Sequence, residues 1–118
     1  AEGTVILNWT CLLMARVFML QKPLAGHNTL SLEDFGAPEW IFHRGFYPDD
    51  VDLFNDKIVN ELDKRLVDFN PDHDFIAPMG DSCVVAAVTV WLLDNELLPC
   101  KFLKYDKKYN GFYSIQIG

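Results

Sequence analysis

Between Asp81 and Asp94 the chain carries no charge. Residues 83–95 read as a helix that follows a Gly80-Asp81-Ser82 turn, with Asp81 or Ser82 capping its first turn. Only Thr89 breaks its apolar circumference, whereas a helix covering one face of a small sheet keeps a polar outer side. The eleven nearly apolar residues 83–93 fall short of the roughly 20 that span a bilayer. The outer side of this helix therefore needs a cover. An aromatic loop folding over it and a second subunit are the two candidates. In a chain of 118 residues a subunit interface is favoured, and Ala86 and Ala87 would let another backbone come close.

The rest of the chain supplies a sheet for that helix. Val51, Phe54, Ile58, Leu62, Leu66 and Phe69 recur at helical spacing, which predicts an amphipathic helix from Asp49 or Asp50 to about Phe69. Its acidic start suits the positive end of the helix dipole, and Asn70-Pro71 stops it. Residues 4–8, 17–21 and 75–79 read as strands, with a short strand around 40–43 and a helical turn after Ser31. Residues 22–50 are otherwise loop, punctuated by Pro23, Gly26, Gly36, Pro38, Gly45 and Pro48, and rich in aromatics that include Trp40, Phe42 and Tyr47.

Residues 101–105 and 112–117 form a hairpin around Asn110-Gly111. A two-residue turn would set Tyr105 opposite Gln116. A five-residue loop, which we prefer, groups Leu103, Tyr105, Tyr113, Ile115 and Ile117 on one face. The order of elements predicts one small α/β domain over residues 14–118, of two or three layers. It has a partly parallel sheet, two main helices and an antiparallel C-terminal hairpin.

Charge and cysteines narrow the function. The net charge of −7 argues against nucleic-acid and anionic-membrane partners, which need clustered Lys and Arg. The basic candidates are Arg16 with Lys22 and the run Lys101, Lys104, Lys107, Lys108, neither of which looks like a binding face on its own. Cys11, Cys83 and Cys100 are odd in number and widely spaced, so neither a disulfide framework nor a zinc site is expected, and a reduced cytoplasm is the simpler location. Met14 is a candidate start, which would make residues 1–13 an upstream extension of the reading frame.

Functional features coincide at one place, the strand-to-helix turn Gly80, Asp81, Ser82. A helix N-terminus offers free N–H groups to an anion, Gly80 permits close approach, and Ser82 adds a hydroxyl. Ordinary capping explains the same residues, both nucleotide-binding glycine fingerprints are missing, and Asp81 repels phosphate. His27, beside Gly26 and Asn28 in the long loop, is the histidine that would join this turn as a base or ligand contact, and Tyr47 is a second arrival from that loop. Asp72-His73-Asp74 alternates donor types, yet it lacks the ligand spacing of a metal site and reads as a solvated loop. Neither Ser82 nor Cys83 lies in a nucleophile motif. No catalytic residue, metal or cofactor is assigned.

Several segments carry a resemblance. Arg16-Val17-Phe18 with Gln21-Lys22-Pro23, Phe35-Gly36, the stretch from Asp74 to Asp81, and the stretch from Lys101 to Asp106 are similar to a family of small uncharacterised proteins encoded by tailed bacteriophages. The likeness spans residues 14–117. It implies a phage or prophage gene expressed in a bacterial host cell, and carries no activity with it. Ser82 and Tyr105 stand where the family's pattern often has Pro and Trp. Together these readings predict a non-enzymatic accessory protein, homo-oligomeric through the apolar helix, that binds a host or phage protein. The alternative is a small-ligand binder for a nucleotide or anion, or a hydrolase, at Gly80, Asp81 and Ser82.

Overall fold

The computed structural model describes residues 15–21, 30–42 and 54–118. The expected strand at residues 4–8, the residues 1–13 extension, and the part of the first helix before Phe54 lie outside them. Within the described residues the order is β1 (Arg16–Gln21), a 3-10 turn (Leu30–Asp34), β2 (Ala37–Phe42), α1 (Phe54–Arg65), β3 (Phe75–Ala77), α2 (Ser82–Asp94), β4 (Cys100–Asp106) and β5 (Gly111–Ile117). The five strands form one sheet in the order β2-β1-β3-β4-β5, parallel except for the antiparallel pair β4-β5. This is the mixed α/β sheet with an antiparallel terminal hairpin that the sequence predicts.

β1 is the strand on which both layers rest. Its pleat sends Phe18 and Leu20 to one face, among Ile58 and Leu62 of α1 and Val84, Val88 and Leu92 of α2. Val17 and Met19 point the other way, to Leu32 of the 3-10 turn, Ala77 and Leu103. All four are at most 1% exposed, which explains an unbroken apolar run where a half-buried strand alternates. Each such burial is worth roughly 1.5–3 kcal/mol. The 3-10 turn between β1 and β2 thus packs on the face opposite the helices through Leu32, and Gly36 admits the start of β2 to within 2.5 Å of Ala15 O at the position a Cβ would take.

Several boundaries differ from the sequence reading. α1 ends at Arg65, four residues short of the expected stop, although Leu66 and Phe69 are buried as the stripe predicts. Leu66 N–H still reaches Leu62 O, after which the chain turns. The bend serves the Asp68 carbonyl and carboxylate, both of which accept from the Arg16 guanidinium. β3 closes at Ala77 because Pro78 has no N–H to donate and Met79 N–H folds back to Ala77 O.

The hairpin register is a correction to both readings of its turn. Asp106 pairs with Gly111, which leaves a loop of residues 107–110 and sets Tyr105 opposite Phe112. Asn110 takes φ of +51° and completes the reversal one residue early, while the Asp106 carboxylate accepts Lys108 N–H at 2.8 Å. Tyr113, Ile115 and Ile117 consequently share a face with Phe102 and Lys104, and not with Leu103 and Tyr105.

The amino end of the sheet is held by a buried carboxylate. Asp74 is 3% exposed and accepts from Arg16 N–H (3.0 Å), Asn70 N–H (2.8 Å) and Arg16 Nη2 (3.2 Å). The guanidinium also lies 4.7 Å from the Phe18 ring centre. Burial pulls the Arg16 pKa down, but the hydrogen bond it donates to Asp68 and the charges of Asp74 and Asp68 outweigh it and leave it raised. Replacing Asp74 by Ala strands two backbone N–H groups and part of a cation. Denaturant unfolding is expected to show a loss of about 3 kcal/mol, and a loss below about 1 kcal/mol would contradict this account of the site.

Candidate functional site

The turn between β3 and α2 lies at the carboxyl ends of β1 and β3. There the strand order reverses, because the chain leaves β1 toward β2 and leaves β3 toward β4. In open α/β sheets this is where ligands enter. Here the turn is tied to β1 on both sides of Gly80. Gln21 N–H donates to Met79 O (3.0 Å), and Gln21 Oε1 accepts from Asp81 N–H (2.9 Å). Gly80 has φ of +118°, and a Cβ there would fall 2.5 Å from Gln21 Cβ. Both the backbone conformation and the contact therefore require glycine.

Asp81 is the N-cap of α2. Its Oδ1 accepts Cys83 N–H at 2.8 Å and Val84 N–H at 3.3 Å. Those are donors that an anion at this terminus would use, so the carboxylate occupies the position that phosphate would take. Ser82 is exposed beside it. The structure brings Gly80, Asp81 and Ser82 together as one capping turn; His27 and Tyr47 lie outside the described residues. Trp40 and Phe42, two positions apart in β2, pack into different core clusters. Phe42 is buried among the helices, and Trp40 packs half-buried with Met79 in the other cluster.

The remaining candidates separate by burial. Asp72 and His73 are exposed while Asp74 is the structural acceptor described above, and no group of three or more His, Cys, Asp or Glu able to hold a metal occurs among the described residues. Cys83 is exposed and Cys100 is buried. Burial pushes the Cys100 thiol up to about 11, so it is no nucleophile at neutral pH.

Two features escaped the sequence reading. Trp91 donates its indole N–H to Asp63 at 2.9 Å and links α1 to α2, a pairing for which sequence gives no signal across 28 positions. A cleft of about 710 Å³ opens at the hairpin, lined by Met79, Phe102, Lys104, Tyr105, Phe112 and Ile115 among others. The lysine run and the aromatics around it were the available signal, but only the observed register shows which of them share a face. No helix among the described residues is long and apolar enough to cross a membrane.

Comparison with known proteins gives a family match. The model of the Phage Pam3 gp32-like protein family matches residues 15–118. Neither a curated protein nor a solved structure matches the chain.

Asp81→Ala loses one cap and is expected to cost about 1 kcal/mol in thermal or denaturant unfolding, whereas Gly80→Ala combines positive φ with a clash against Gln21 and costs more, about 2–3 kcal/mol. The reverse ranking would contradict the capping account. The Cys100 thiol ionises near 9 when unfolded and near 11 when folded, so its contribution is complete below pH 9 and is lost as pH rises toward 11. That loss is of order 2 kcal/mol. Unfolding measured across this window is expected to fall less steeply for Cys100→Ala than for the parent chain; equal slopes would contradict the assignment.

Proposed function

The chain belongs to the Phage Pam3 gp32-like protein family, and from that premise we propose that it is an accessory phage protein. In this reading it self-associates through α2 and acts by binding a host or phage protein. The observation that carries the proposal is the outward stripe of α2. Cys83, Ala86, Val90 and Leu93 follow one another at helical spacing on its solvent side, with Val90 55% and Leu93 62% exposed and no charge among them. The inward side is spent on the core through Val84, Val88, Trp91 and Leu92. α2 is thus a helix with two apolar sides and one sheet to cover. Ala86 keeps the outer stripe low at its middle, which suits close approach of a second helix. Grooves beside Trp91, lined in part by Asp63, Asp94 and Asn95, lead from this stripe toward Val67, which is 80% exposed. Exposed apolar area of this kind marks interaction sites.

A second reading keeps the Gly80, Asp81, Ser82 turn as a small-ligand site for a nucleotide or anion, or as a hydrolase. Its support is position, since the turn stands where the strand order reverses. The occupied cap weighs against an anion there, so the interaction reading stands first.

Sedimentation over a range of concentrations tests the oligomer. The parent chain is expected to associate, and the double variant Val90→Glu, Leu93→Glu to stay monomeric with an unchanged circular dichroism spectrum, because both side chains are exposed. A parent chain that remains monomeric at high concentration would overturn self-association through α2.

A further inference from the structure

We propose that the outer edge of β5 is a strand-addition site for an extended, acidic segment of a partner protein. The proposal rests on the partner-binding half of the function above and is independent of self-association through α2.

Four observations carry it. β5 closes one side of the sheet, and among the described residues no strand pairs with its outer edge. Its seven residues contain neither a charge nor a proline, whereas the opposite edge strand, β2, carries exposed Pro38 and Glu39. Charges and prolines are how sheet edges are kept from pairing, so β2 is protected and, among the described residues, β5 is open. Tyr113 and Ile115 project from β5 at 41% and 37% exposure, beside the cleft of about 710 Å³ that Phe102, Lys104, Tyr105 and Phe112 help to line. An added strand gains main-chain hydrogen bonds from the edge and places side chains against these apolar groups.

Charge selects the occupant. Residues 100–118 hold four lysines and one aspartate, while the rest of the chain holds six basic residues against sixteen acidic ones. Lys101, Lys104, Lys107 and Lys108 are all exposed, and among the described residues none of them forms a salt bridge. The hairpin is therefore a basic surface on an acidic molecule. Two copies meeting edge to edge through β5 would bring these lysines together, which disfavours a second copy and favours an acidic segment. Lysines beside tyrosines also suit single-stranded nucleic acid, but stacking leaves the N–H and C=O groups of the edge unused. A peptide strand uses both.

The test is fluorescence anisotropy of the full chain with a labelled octapeptide of alternating glutamate and valine. Saturable binding is expected. It should weaken about tenfold or more for Lys104→Glu combined with Lys107→Glu, both exposed positions that leave the core intact. An octapeptide N-methylated throughout cannot pair with an edge and is expected not to bind. The proposal is overturned if the acidic octapeptide does not bind, if its N-methylated or lysine-for-glutamate form binds equally well, or if labelled oligothymidylate binds more tightly. Repeating the titration with Val90→Glu, Leu93→Glu separates the two surfaces: unchanged peptide binding by that variant supports a site on β5, and lost binding moves the site to α2. Absent peptide binding alongside intact self-association would remove this site and leave the α2 interface standing.

Discussion

Burial of β1 on both faces is the constraint from which the rest of the architecture follows. Four successive apolar residues, Val17, Phe18, Met19 and Leu20, cannot be satisfied by a single layer. Helices cover one side and another part of the chain the other, so α1 and α2 lie on one face and the 3-10 turn with Leu32 on the opposite one. The sheet then has its reversal point beside β1. Both ends of β1 are pinned by polar contacts that apolar packing alone would not direct. At the amino end Asp74 takes the Arg16 N–H and guanidinium, and at the carboxyl end Gln21 holds the backbone on either side of Gly80.

These pins bear on function because they decide what is left free. The turn at the reversal point is the conventional place for a ligand, yet its N–H donors are engaged by Asp81 and its glycine is pressed on Gln21. The atoms there are engaged in holding α2 to β1. What stays open among the described residues is surface: an uncharged stripe along α2, and an uncharged edge on β5 bordered by lysines. The two lie on different elements, with opposite electrostatic surroundings, since Asp94 and Glu96 flank the end of α2 while four lysines surround β5.

Much of this was legible in the sequence because it follows from short-range chemistry. The spacing of Ile58, Leu62, Leu66 and Phe69 gave the buried side of α1, and the uncharged run after Asp81 gave α2 with its cap. The apolar run of β1 marked it as a strand, while its burial on both faces appeared only with the layers that cover it. The hairpin register was not legible, because one residue in the loop reverses every side chain beyond it. The early end of α1 was hidden for a different reason. It depends on Arg16, some fifty residues away, reaching the Asp68 carbonyl. At the candidate site the residue types were found, but their meaning came from Gln21, whose contact with Asp81 no local pattern encodes.

Native-state hydrogen exchange, resolved by residue, addresses the central claim that β1 organises the domain. If it does, the N–H groups of Phe18 to Gln21 exchange only through global unfolding. They would then be among the slowest in the chain, with α2 and the hairpin opening first. Exchange of β1 in a partial opening, faster than that of β5, would contradict the account and place the stable centre of the molecule elsewhere.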